Sequence, residues 1–565
     1  VANADLDDSV APLSDLELYL FFSLLVIAMA LVVVADGMIP FLLSWELMTI
    51  SSFFLVMYDH EEEDNRRAGY LYFVFSHLGA MFIFAAFGLI FANTGSLGFE
   101  GAAGMTDQTK ILVFVLALIG FGSTAGIFPV HFWLPHAHPA APSHISAVMS
   151  GVMIKTGIFG ILKMILVLQL GTALFGQILL VLGVVSGVLG VVYALGQHDL
   201  KRLLAYHSVE NIGIILIGLG IGLIGAAEGH PLMAVLGFTG GLLHVLNHAL
   251  FKSLLFLGAG MVLHRTGIRA IDQLGGLLKG MRITGTTFLI GSLAIAGLPP
   301  FNGFISELLV YLGSFQGVPV DHGMLALSLL AIVGLAIIGG LALACFTKVV
   351  GVVFQGEPRS SAAEGAREHG WTMLVSMVAL AAACILIGLF PAKVVPWAVA
   401  ATMSTGLMGQ AGEAVSLAPT LELMGNITRV ALIFLGALGA LVLLRLWLYQ
   451  GKTVTRSGTW GCGYTQPNVR MQYTGSSYAA SILAFFGAAA PVREEHRAIE
   501  GRFPVGTSYH SHVEDIAETN ASRFLVRPVM ALFDRLRWMQ HGDIHLYLGY
   551  ILLAIVALLI FVWRG

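Results

Sequence analysis

Charged and titratable side chains interrupt stretches of this sequence that are otherwise apolar. Glu46 follows Trp45 in FLLSWELMTISSFFLV, and Lys155 lies about ten residues into a run that begins near His144. Lys163 follows two turns later. His207 and Glu210 open another apolar run, Glu307 follows a proline pair, and Lys348 lies in the last third of the run after it. His244, His248 and Lys252 are spaced i, i+4, i+8. That spacing drifts only about 80° around a helix, so the three share one face. An ionisable group at mid-bilayer costs about 2.5–3.5 kcal/mol on insertion scales, so each needs a function or a partner. A row of acids, lysines and histidines can bind and release protons in turn. A metal site at His244 and His248 is disfavoured, because Lys252 on the same face repels a cation. Lys163 is expected to snorkel toward an interface.

The elements that hold these groups are long apolar helices. The chain has 565 residues, 57% hydrophobic and 11% charged, whereas a soluble domain carries about 25% charge. Runs of about 18 or more apolar residues recur, which makes this an all-α polytopic membrane protein. Thirteen spans are expected, at Leu16–Ala35, Ile39–Tyr58, Ala68–Ala92, Ile111–Phe128, Ile145–Leu168, Ala173–Leu195 and Leu203–Leu223, then Leu232–Val262, Thr284–Leu312, Met324–Phe354, Trp371–Val395, Arg429–Tyr449 and Leu546–Trp563. The fourth runs into Pro129, Pro135, Pro139 and Pro142, with His131, His136, His138 and His144 among them, and the ninth is broken at Pro299–Pro300. Proline removes a donor and clashes with the preceding turn. Broken backbone at membrane depth survives only when buried in protein or lining a wet cavity. The two breaks are five spans apart, and an odd offset reverses direction. That is the pattern of two inverted five-helix repeats, each with a proline-broken helix.

Loops after even-numbered spans hold most of the basic residues, Arg66, Arg67, Lys201, Arg202, Arg265, Arg269, Lys279, Arg282, Arg359 and Arg367 among them. The positive-inside rule makes these loops cytoplasmic, with the N-terminus on that side and the C-terminus outside. Five regions are expected: a polar lead-in at 1–15, an antiporter-like core at 16–400, a linker and extra span at 401–449, a cytoplasmic arm at 450–545 and an anchor at 546–565. Within the arm, ASRFLVRPVMALFDRLRWM (521–539) alternates arginines with apolar residues, as a helix lying on a surface does. The three cysteines, Cys345, Cys384 and Cys462, form no C-x-x-C pair, so no redox cofactor is expected in this chain. Nothing in the sequence points to nucleic acid; the lipid bilayer is its surroundings. The start at Val1, with no signal-peptide core, looks like a fragment or a trimmed product.

Several motifs resemble the antiporter-like membrane subunits of respiratory complex I, multisubunit sodium/proton antiporters and membrane-bound hydrogenases. They are SWELM around Glu46, WLPHAHPAAPSHISA after the first break, DLKRLLAYHSVENIG at Asp199–Gly213, HVLNHALFKSLLFLGAG at His244–Gly260 and GLPPFNGFISE at Gly297–Glu307. SHISAVMSGVMIKTGIFGIL and GTWGCGYTQPNVRMQYTGSSYA (Gly458–Ala479) are most similar to the large antiporter-like subunit of formate hydrogenlyase and related group 4 hydrogenases. Relative to that family about three N-terminal helices are absent, since SWELM is normally on the fifth span. The family also places a lysine nine residues before the Trp of the WLP motif, where this chain has Thr124.

The resemblance implies a proton-translocating subunit of a redox-driven complex in a bacterial inner membrane. Membrane and peripheral partner subunits would carry the Ni–Fe and Fe–S centres. Glu46 would be the switching acid of the first half and Lys155 its lysine and partner. His207, Glu210, His244, His248 and Lys252 would form the central relay, with Glu307 and Lys348 in the far half. Moving or protonating a carboxylate beside a lysine switches that lysine between holding and releasing its proton. Two other readings are a sodium/proton antiporter or complex I subunit, and a non-conducting scaffold that tethers a redox arm, which Thr124 favours.

Overall fold

A computed structural model describes residues 15–169, 171–406, 415–453, 455, 468–496, 509–536 and 544–564. The chain divides into two compact units, residues 1–513 and 514–565. The first opens with α1 (Asp15–Val34), α2 (Met38–Val56), α3 (Glu63–Thr94) and α4 (Asp107–Ala125). Short α5 (Leu134–Ala140) and α6 (Ser143–Val148) follow, then α7 (Ile154–Leu168), α8 (Ala173–Leu195), α9 (Leu200–Ala227) and α10 (Pro231–Thr266). Next come α11 (Arg282–Ile295), α12 (Asn302–Gly317), α13 (His322–Val349), α14 (Ser361–Glu364), α15 (Trp371–Leu389), α16 (Pro391–Ser404) and α17 (Ala418–Leu448). Helix α18 (Gly475–Phe485) and the antiparallel pair β1 (Val492–His496) and β2 (Tyr509–Val513) complete the unit, with Val492 opposite Val513. This two-stranded ribbon is the one sheet among the described residues.

Eleven of the thirteen expected spans are helices long and apolar enough to cross a membrane among the described residues; the ninth and the last are not among these eleven. The ninth expected span is two short helices, α11 and α12, on either side of the Pro299–Pro300 break. The fourth ends at Ala125, where Gly126 adopts φ 80° and closes the helix, a conformation that favours glycine. The eleventh stops at Leu389, because Pro391 starts a new helix. In the second unit α19 (Ile516–Ala521), a wide turn at Ser522–Val526 and α20 (Arg527–Leu536) cover most of the expected surface helix; 537–539 lie outside the described residues. The expected last span corresponds to α21 (Ile544–Arg564). The lead-in to residue 14, the first half of the Gly458–Ala479 motif and Cys462 also lie outside the described residues.

Helix α9 is the centre of the bundle: 94% of its apolar window is buried. Glycines let α8 and α9 touch backbone to backbone, as small residues do between membrane helices. A Cβ on Gly213 would lie 2.5 Å from both the Gly183 carbonyl and the Gly187 nitrogen. Asp199 caps α9, accepting from the N–H groups of Lys201 (2.8 Å) and Arg202 (3.0 Å).

Candidate functional site

The charged face of α9 meets α10 and α12 without solvent. His207, Glu210, Asn211, His244, Asn247, His248, Lys252, Asn302 and Ser306 are all 0% exposed. His207 Nδ1 pairs with Glu210 Oε2 one turn along α9. Asn211 Nδ2 donates to the His207 carbonyl at 2.8 Å and lies 3.5 Å from Glu210 Oε2. Its Oδ1 faces His244 Nε2 at 3.1 Å, and His244 Nδ1 faces Ser306 Oγ on α12 at 2.9 Å. Asn247 Nδ2 donates to Ser306 Oγ (2.9 Å) and to the Asn302 carbonyl (2.8 Å). Of the five residues expected in the central relay, His207, Glu210 and His244 are thus linked through Asn211, while these bonds include neither His248 nor Lys252. Sequence reasoning missed the amides and the hydroxyl that join its members, because they do not ionise; their recurrence among apolar neighbours was the available signal.

Two buried lysines are joined through α9 and the turn before α7. Lys252 donates through Nζ to the Leu204 carbonyl. The same carbonyl accepts from Ser208 Oγ at 3.4 Å, and Ser208 Oγ meets Ser150 Oγ at 2.8 Å. Ser150 lies in a π-helical turn, Met149–Met153, whose wide backbone presents the Ser150 carbonyl to Lys155 Nζ. Leu204, Ser208 and Ser150 thus lie between the two lysines.

The pairing expected between Glu46 and Lys155 does not form. Glu46 Oε2 instead lies 3.4 Å from His77 Nε2 on α3, with both side chains about a quarter to a third exposed. Lys155 is drawn to the π turn, while the Glu46 face of α2 packs toward α3. His77 was not singled out from sequence, although a histidine in an apolar run was a visible signal. Thr124 is buried on the last turn of α4. That helix passes so close to α7 that a Cβ on Gly157 would meet the Phe121 carbonyl at 2.5 Å.

Other basic residues hold backbone. Lys201, expected as a loop charge, is 2% exposed and donates to the Ala141 and Pro139 carbonyls, the latter at 3.3 Å. Arg269 adds a bond to Pro139 O at 2.8 Å, so the two clamp the first break. Lys348 donates to the Leu195 and Gln197 carbonyls (2.6 and 3.1 Å) at the end of α8. Lys163 reaches the loops after α1 and α3: it donates to Ala35 O at 2.5 Å and lies 4.5 Å from the Phe99 ring centre. Glu307 folds over Gly297 in the second break, where a Cβ would lie 2.5 Å from its Oε2.

Outside the spans, Asp272 Oδ2 accepts from His198 Nδ1 at 2.7 Å and Oδ1 from Gly475 N at 2.6 Å. Burial pushes this carboxyl up, but the bonds from His198 and Gly475 outweigh it and hold it below the usual range. His198 Nε2 also meets Ser511 Oγ at 3.2 Å. Gln472 exchanges bonds with the Glu357 backbone at 2.8 and 3.2 Å. The later part of the Gly458–Ala479 motif is thereby tied to the loops after α10 and α13. Among the described residues no group of three or more His, Cys, Asp and Glu side chains is arranged to hold a metal ion.

Residues 35–333 match the family described as NADH:quinone oxidoreductase/Mrp antiporter, TM. The chain is 38% identical over 555 residues to hydrogenase-4 component B of Escherichia coli K12, covering 96% of this chain and 82% of that protein. It is 40% identical over 380 residues to formate hydrogenlyase subunit 3 of the same organism, covering 66% and 60% of the two chains. Its fold is similar to a chain of the membrane-bound sulfane sulfur reductase, an archaeal respiratory membrane complex (TM-score 0.70, 24% identity, covering 97% and 84% of the two chains).

Proposed function

The chain belongs to the NADH:quinone oxidoreductase/Mrp antiporter transmembrane family, and on that premise we propose how it works. It is the antiporter-like, proton-translocating membrane subunit of a redox-driven hydrogenase- or formate-hydrogenlyase-type complex. It resides in a bacterial cytoplasmic membrane with other membrane and peripheral subunits. Electron transfer, and the Ni–Fe and Fe–S centres that perform it, belong to those partners.

The observation that carries the reading is the full burial of His207, Glu210, His248 and Lys252 at the α9–α10 contact, with His244 bonded to Asn211 and Ser306 beside them. Burying so many ionisable groups in one place is costly unless they act. Lys155 is the proton-holding group of the first half, and Glu46 and His77 form a separate acid–histidine pair in that half. Glu307 and Lys348 serve the second half. The breaks at Ala125–Leu134 and Ile295–Asn302, five spans apart, support two inverted five-helix repeats. A lysine held by a carbonyl dipole only weakens a hydrogen bond when it releases its proton, and breaks no salt bridge. Charge moved in a partner subunit can therefore tip it either way.

The test is Lys252→Met in the assembled complex, reconstituted in vesicles and driven by its electron donor. Proton translocation is expected to disappear while assembly and electron transfer persist. Translocation that survives in the assembled variant overturns the central relay.

A further inference from the structure

His244 and His248 on α10 have opposite hydrogen-bonding environments, and the difference assigns them different work. The His207 carbonyl can only accept, so the group of Asn211 that bonds it at 2.8 Å is the amide nitrogen. The amide oxygen of Asn211 is thereby fixed toward His244 Nε2, 3.1 Å away, and that nitrogen must carry a hydrogen. On the other side of the ring Nδ1 meets Ser306 Oγ, which already accepts from Asn247 Nδ2. The single Ser306 proton has two acceptors in reach, His244 Nδ1 and the Gly303 carbonyl at 3.0 Å. With neutral His244 it points to Nδ1; with protonated His244 it turns to Gly303.

A proton can therefore join or leave His244 only at Nδ1. Ser306 leads on only to an amide N–H and a backbone carbonyl, and Nε2 faces an amide oxygen, which does not take up a proton. His248, one turn along, is also fully buried, and neither of its ring nitrogens has a hydrogen-bond partner among the described residues. His207 Nε2 and Glu210 Oε1 are unpartnered in the same sense. Leaving a buried polar atom unpaired costs about 1–3 kcal/mol, so such atoms recruit water. Water on both sides of an imidazole lets a proton arrive at one nitrogen while another leaves from the other, with charge conserved.

Resting on the proton-translocation reading, we infer that His248 is the through-carrier of the pair, and that His244 is a positioning residue locked in its Nε2–H form by Asn211.

The test compares His244→Gln with His248→Gln in the intact, reconstituted complex. Glutamine supplies an N–H and a carbonyl oxygen but cannot carry a proton. His244→Gln is expected to keep more than half of the protons moved per electron, with the pH profile unchanged. His248→Gln is expected to lose at least nine-tenths, and His248→Lys, which restores a titrating group, to recover part with a displaced pH profile. Co-purification of all subunits is checked for each variant. Equal loss in both glutamine variants overturns the assignment but leaves the relay standing. Full translocation in both overturns the assignment and the central relay together.

Discussion

Gly297→Ala tests whether the position of the Glu307 carboxylate, and not merely its presence, sets translocation. Gly297 has φ 64°, and an L-residue with a side chain held there loses about 1–2 kcal/mol. The new methyl would lie 2.5 Å from Glu307 Oε2 and 2.9 Å from Cδ, whereas comfortable contact begins near about 3.5 Å. The carboxylate must retreat by about 1 Å. The obstacle is the end of a flexible side chain, so it moves and the fold persists. A misplacement of about 1 Å at a reacting group can cost on the order of 100-fold in rate, so a fall of at least tenfold in protons moved per electron is expected. Gly229→Ala supplies the control: its φ is 74°, but nothing lies within 4 Å of the added Cβ. It carries the backbone strain without displacing a carboxylate. Both variants are purified as whole complexes, reconstituted, and assayed for proton uptake against donor oxidation. Equal coupling in the two refutes the reasoning.

Lys348→Met removes the donor from two carbonyls at the end of α8, and a bond to a charged donor contributes about 1.5–3 kcal/mol. Thermal denaturation of the complex should begin several degrees lower; an unchanged midpoint with lost translocation would make Lys348 a carrier with no capping role. The Asp272 carboxyl is depressed in the folded protein, so its contribution to holding the Gly475 region is complete above its unfolded value, about 4. That contribution is lost as pH falls through the lower folded value. Limited proteolysis around α18 should stay flat from pH 8 to pH 5 and accelerate only below about pH 4, whereas Asp272→Asn should be faster and flat throughout.

Most of the long apolar helices were legible in the sequence because hydrophobic length acts locally. The ionisable residues were legible because a charge in an apolar run is conspicuous. Their partners were not. Lys155, Lys163, Lys201, Lys252 and Lys348 donate to the carbonyls of Ser150, Ala35, Ala141, Leu204 and Leu195. Every residue has a carbonyl, so no pattern of side chains marks the one a lysine will find. The expectation that Glu46 would hold Lys155 came with the family resemblance; Lys155 is instead held by the Ser150 carbonyl of the π turn and Glu46 faces His77. That failure bears on mechanism. A lysine paired with a buried carboxylate is locked, since removing its proton strands a negative charge in a medium that cannot solvate it. A lysine on a carbonyl dipole faces no such charge, and its neutral amine still has N–H groups to donate, so deprotonation weakens the hydrogen bond without stranding a charge. Carbonyl-held lysines are therefore suited to cycling, and the acids belong at a distance, where a shift of their charge reaches the lysine without trapping its proton.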